Sequence, residues 1–147
     1  MRAVKRSALV AQSSERLFAL INDIEAYPRF VPWCTSARIE SRTDTEIVAT
    51  LGIKRGPLKT EFTTRNTLTP PNRIGMELVR GPFQALGGEW RLTPIGSPSG
   101  AQGTKIELEL RFAFANSVSA LVFEPLFEQT AASLVDAFVA RARAVPG

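Results

Sequence analysis

Apolar and polar residues alternate most regularly late in the chain, where Ile106, Leu108, Leu110, Phe112 and Phe114 interleave with Glu107, Glu109, Arg111 and Ala113. A period of two sends successive side chains to opposite faces of a strand, so this run predicts a strand with one buried and one wet face. Five earlier runs bounded by turn residues read the same way, giving strands at about 34–43, 46–54, 58–69, 73–80, 85–95 and 103–114. Residues 1–10 alternate more weakly and predict a further strand ahead of them.

Elsewhere the apolar period is that of a helix. Ser13 is placed to cap residues 14–23, where Leu17, Phe18, Leu20 and Ile21 share one face. Pro28 and Pro32 break the next stretch, which leaves room at 24–33 for one or two helical turns. Residues 117–144 form a long helical segment with Leu121, Phe127, Leu134, Val135, Phe138 and Val139 on its apolar side. Pro125 inside it predicts a kink or a ragged first turn. The run 96–103 (GSPSGAQG) reads as a hairpin loop, and Pro146 as the stop after the last helix. Strands of about nine residues span roughly 30 Å and a helix of about 25 residues roughly 38 Å, so the helix can cross the whole sheet. The expected fold is therefore α+β: a curved antiparallel sheet of about seven strands gripping a long C-terminal helix, with two short helices after the first strand, in one domain over 1–147.

Composition narrows the chemistry. With 44% hydrophobic and 22% charged residues among 147, the chain reads as globular rather than disordered. No apolar run reaches the roughly 18 residues of a membrane span, and the first residues resemble no signal or transit peptide, so a cytoplasmic location is expected. One cysteine, Cys34, excludes an internal disulfide, and the absence of histidine removes the usual zinc, iron and copper ligand sets together with Ser-His-Asp and Cys-His catalysis. A net charge of +4, from 18 basic and 14 acidic side chains, favours anionic partners without naming one.

If the six later strands form a meander, one end of the sheet gathers Trp33, the turns at 54–58 and 80–83, and the start of the long helix. That end offers Tyr27, Phe30, Trp33, Leu58 and Phe83 beside Arg29, Lys54, Arg55, Lys59 and Arg80. Rings and cations together suit a membrane interface and a pocket entrance, while the same aromatics equally serve to pin the connection onto the sheet. The other end gathers polar turns at 43–46, 69–72 and 96–103 and is expected to be closed. Leu51, Phe62, Met76, Trp90, Leu108, Leu110, Phe112, Phe127, Leu134, Val135 and Phe138 are candidates for a pocket wall, and alternation alone fits a filled core as well. Asp23 and Glu25 are the nearest thing to paired carboxylates, though acidic residues at a helix end are usually solvated. For RNA or ribosome binding the sequence offers Lys5, Arg6, Lys54, Arg55, Lys59, Arg65, Arg141 and Arg143 but no dense basic run or recognition module, and scattered basic residues normally mean a solvated surface; no DNA partner is expected.

The string Asn22-Asp23-Ile24-Glu25-Ala26-Tyr27-Pro28-Arg29-Phe30-Val31-Pro32-Trp33-Cys34 resembles the signature of the coenzyme Q-binding, START-like family within the polyketide cyclase-like superfamily. The likeness continues through Phe62-Thr63-Thr64-Arg65-Asn66, Gly81-Pro82-Phe83, Gly88-Glu89-Trp90 and 135–142. It implies a START-like helix-grip fold and a non-enzymatic carrier of ubiquinone or another prenyl lipid, supporting respiration and touching the inner face of the membrane transiently. For a quinone head, Arg65, Asn66 and Thr64 are the implied donors, and at roughly 0.8 kcal/mol per buried CH₂ two or three prenyl units suffice for micromolar binding. Another branch of the family, the ribosome association toxins, implies instead binding to the large ribosomal subunit and a block to subunit association. Both readings place Arg29, Lys54, Arg55, Lys59 and Arg80 at the contact and expect a monomer. Aromatic cyclisation, known elsewhere in the superfamily, is a third and weaker implication.

Overall fold

The computed structural model describes residues 1–96 and 102–144. The middle of the expected 96–103 loop and the stop at Pro146 lie outside the described residues.

Strand β1 (Arg2–Val10) leads into helix α1 (Ser14–Asn22), where the Ser13 side chain accepts the Arg16 N–H at 3.2 Å and so satisfies one of the donors left open at a helix start. A 3-10 helix, Ile24–Arg29, follows and carries Pro28 within it. Six strands then run β2 (Cys34–Arg42), β3 (Glu46–Arg55), β4 (Leu58–Thr69), β5 (Arg73–Arg80), β6 (Phe83–Gly96) and β7 (Gln102–Phe114), before the long helix α2 (Ser117–Ala144). They form one seven-stranded antiparallel sheet in the order β1-β7-β6-β5-β4-β3-β2, so the later six make a meander and β1 returns to pair with β7. This is the α+β arrangement that the alternation predicts, and the START-like helix-grip fold that the resemblance implies.

The clearest sequence pattern is also the deepest part of the core. Ile106, Leu108 and Phe112 are at most 1% exposed, and Leu110 and Phe114 are buried beside them, facing α2. Tight turns hold the meander: Gly56, between β3 and β4, has φ +58°, a conformation in which a Cβ is strained. At Gly81, between β5 and β6, φ is +155° and an added Cβ would stand 2.9 Å from that of Phe62, so the turn closes directly onto the core.

Two expectations change at α2. The helix runs unbroken through Pro125, and Asn116 caps its start by accepting the N–H groups of Val118 and Ser119 at 2.8 and 3.2 Å, so the first turn is not ragged. Leu121 is 82% exposed instead of core-facing. The buried stripe of α2 is Phe127, Thr130, Ala131, Val135, Phe138 and Ala142. At 3.6 residues per turn, position 121 lies roughly 120° around the helix from 127, off that stripe. Val118 and Val122 share its exposed side.

Candidate ligand-binding site

The inward positions of β3 to β7 leave a gap beneath α2. On β4 the alternation places Phe62, Thr64 and Asn66 toward the helix, and across the register from them stand Leu51 and Ala49 on β3 and Met76 on β5. Together with Ile74, Leu86, Trp90, Leu108 and Leu110 these form the sheet wall of an internal cavity. Ile21, Asn22, Ile24, Tyr27 and Trp33 close one flank, and Phe127, Thr130, Ala131 and Leu134 of α2 form the roof. The cavity measures about 70 Å³. Sites for drug-sized ligands usually enclose roughly 300–1,000 Å³, so a prenyl tail enters this one only if side chains or the helix give way.

Ten of the wall and rim residues expected from sequence line this cavity: Tyr27, Trp33, Leu51, Phe62, Met76, Trp90, Leu108, Leu110, Phe127 and Leu134. Phe83, Phe112, Val135 and Phe138 lie behind the wall in packed core. Phe83 stands among Phe62, Phe112, Phe114 and Phe127 with ring centroids 4.7–6.4 Å apart, and Phe138 packs edge-on against Tyr27, Phe30 and Trp90. Phe30 is half-buried outside the cavity. Trp33 is buried too, its indole N–H donating to Ser133 Oγ at 3.1 Å, which fastens the connection to α2. The lining residues that keep solvent exposure are Asn22, Leu51, Thr64, Met76 and Leu134, whereas Trp33 and Phe83 are buried.

The polar lining is sparse. Thr64 Oγ1 donates to Asn66 Oδ1 at 2.8 Å, which leaves the Asn66 amide N–H groups without a partner among the described residues and able to meet a carbonyl. Thr130 spends its hydroxyl on Leu126 O at 2.8 Å. Arg65 points the other way, pairing with Glu46 at 3.4 Å on the outer face, because it is out of phase with Thr64 and Asn66 in the strand. Asp23 and Glu25 are exposed and outside the cavity.

No lining side chain is suited to move a proton near neutral pH. Burial pushes the Tyr27 phenol up, with the Cys34 and Asp23 charges adding to it, and its hydroxyl donates to Ile21 O. Cys34, buried beside this connection, has its thiol pushed up to about 11 by desolvation, which disfavours the nucleophilic thiolate. Among the described residues no cluster of His, Cys, Asp or Glu is arranged to hold a metal. No helix among them is long and apolar enough to cross a membrane.

Of the residues expected at the contact rim, Arg29, Lys54 and Lys59 are exposed, and Arg55 reaches Gln129 Oε1 at 3.4 Å. Arg80 is committed elsewhere: it pairs with Glu40 on the outer face of the sheet. Sequence reasoning passed over Ile21, Ile24, Ala49, Ile74, Leu86, Thr130 and Ala131 as lining. The phase of Leu51 and Met76 points to Ala49 and Ile74, and the small residues at 130 and 131 are what leave space under the roof.

Residues 10–139 match the family described as polyketide cyclase / dehydrase and lipid transport. The ribosome association toxin RatA of Escherichia coli (strain K12) is 39% identical over 145 residues, covering 99% of this chain and 89% of that protein. The mitochondrial coenzyme Q-binding protein COQ10 of Drosophila melanogaster is 24% identical over 139 residues, covering 94% of this chain and 57% of that one. A crystal structure of a Thermus thermophilus protein superposes with a TM-score of 0.85 at 17% identity, covering 99% of this chain and 100% of the other.

Proposed function

The chain belongs to the polyketide cyclase / dehydrase and lipid transport family, and we propose that it acts without catalysis, by associating with the large ribosomal subunit and hindering subunit joining. The observation that carries this reading is the 39% identity, sustained over 99% of the chain, to a protein named as a ribosome association toxin. A non-catalytic role agrees with an interior that holds no acid or base near its working range and no nucleophile in its reactive form. Sedimentation of the purified protein with isolated ribosomal subunits tests the reading. It is expected to travel with the large subunit and to lower the yield of joined ribosomes; protein left at the top of the gradient in every lane sinks it.

The apolar cavity favours a second reading, a carrier of ubiquinone or another prenyl lipid. Its wall is hydrocarbon and rings, and Asn66 supplies a donor for a head-group carbonyl. Against it stands the volume of about 70 Å³, well short of a prenylated quinone without rearrangement. Solvent extraction of protein purified from its host, followed by mass spectrometry, decides: stoichiometric prenyl lipid supports the carrier, and its absence removes it.

A further inference from the structure

The outer face of the sheet is close to electrically balanced. Arg73 and Arg91 share Glu89 at 3.0 and 2.9 Å, Arg111 meets Glu109 at 2.8 Å, Arg38 meets Glu61 at 3.3 Å, and Arg65 meets Glu46 at 3.4 Å. Arg2 and Arg6 of β1 are matched by Glu124 and Asp136 of α2 at 3.4 and 3.2 Å. Paired charges of this kind leave little field beyond the roughly 8 Å over which salt screens.

One end of the molecule departs from that pattern. In the β3–β4 register Lys54 stands directly opposite Lys59, both exposed, with Arg55 next in the chain. Like charges facing each other across a strand pair are destabilising. Where the same thing happens elsewhere, at Arg73 opposite Arg91, the shared Glu89 relieves it. Among the described residues no carboxylate lies within salt-bridge reach of Lys54, Arg55 or Lys59.

The cluster continues onto its neighbours. Lys54 N–H donates to Trp33 O at 2.9 Å, which joins the hairpin to the connection carrying exposed Arg29. The Arg141 guanidinium lies 5.1 Å from the centroid of the adjoining Phe30 ring, and neither Arg29 nor Arg141 has a carboxylate partner among the described residues. On α2, Gln129, Ser133 and Arg141 make these contacts in turn along the length of the helix. Five cations thus follow one path, from the hairpin through the 29–33 connection to the last turns of α2.

Resting on the ribosome reading above, we propose that this path grips an RNA phosphate backbone, so that association with the large subunit runs through its RNA. A row of cations without carboxylate partners is the arrangement that exchanges counterions for phosphates. The repulsion between Lys54 and Lys59 is relieved when an anion lies between them, a gain available in the complex and not in the free protein. The exposed apolar side chains Val118, Leu121 and Val122 lie in the first turns of α2, at the far end of that helix from Arg141.

The test compares the wild type, a Lys54→Gln/Lys59→Gln double variant and a Lys105→Gln control from the balanced face, each titrated with isolated large subunits over a range of salt. The double variant is expected to bind on the order of tenfold more weakly at ~0.1 M salt and to lose roughly 1.5 from the slope of log Kd against log salt, with the control unchanged. A separate Lys54→Glu variant is expected to melt higher than wild type while binding worse, a pairing that misfolding cannot produce. If wild type binds and the double variant keeps its affinity and slope, the path is not the contact and the ribosome reading survives alone. If the double variant keeps subunit binding and loses only binding to phosphatidylglycerol-containing vesicles, the path is a membrane surface and the proposal falls. If wild type does not bind subunits, both readings fall.

Discussion

Leu108 is 1% exposed and forms both core and cavity wall, so Leu108→Ala removes packed hydrocarbon and is expected to cost about 2–5 kcal/mol in urea unfolding. Phe83, buried among four other rings, belongs to the same class, and Phe83→Ala is expected to destabilise by about 3–5 kcal/mol, as a core ring does and a pocket rim does not. Cys34 gives a pH signature. Its folded pKa of about 11 lies above the ordinary value of 9.0, so the neutral thiol favours the fold fully below pH 9, and that contribution fades as pH rises from 9 toward 11. Cys34→Ser, whose hydroxyl does not titrate there, is expected to flatten the fall in melting temperature across this window. The type of residue was legible in the sequence and its depth was not. Trp33 and Phe83 look like a rim because they flank turns, and only the closure of the connection onto Ser133 and of Gly81 onto Phe62 decides that they are covered.

Among the elements, the strands were readable almost to the residue because alternation and turn chemistry agree, as in Ile106 to Phe114 and at Gly56. Helix α2 was readable in extent but not in facing: its spread-out apolar residues admit more than one stripe, and the sheet selects the one through Phe127 and Val135. The cap was missed because Asn116 precedes the apolar pattern that marks the helix. Asn116→Ala is expected to lower stability by about 1 kcal/mol, readable by thermal melting, since two N–H groups lose their acceptor. A cross-strand clamp was also invisible from spacing: Glu40 on β2 accepts from Thr50 Oγ1 on β3 at 2.6 Å and from Arg80 on β5, and Thr50 meets Thr63 on β4 at 2.6 Å. Hydrogen bonds from Arg80, then Thr50, hold the Glu40 carboxyl below its usual 4.5. Its stabilisation is therefore present above pH 4.5 and lost as pH falls through the depressed value. Glu40→Gln is expected to be less stable than wild type at neutral pH, with the gap in melting temperature closing on acidification.

Taken as a unit, the protein separates an apolar interior from a basic end, and the two can be perturbed apart. Ala131 is buried in the roof of the cavity, and Ala131→Leu is expected to fill space there, reducing uptake of a prenyl lipid measured by extraction while leaving subunit sedimentation unchanged. The return of β1 to the edge of β7 carries a different consequence. The earliest strand of the sheet to leave the ribosome in synthesis pairs with the last one to be made, and α2, made after it, ties down β1 through Glu124, Glu128 and Asp136. Until α2 has emerged, β1 has no settled place and the core no roof, so the growing polypeptide stays open to chaperones and proteases. Under the ribosome reading proposed above, this order of synthesis keeps the chain from its folded, active form on the ribosome that is still producing it.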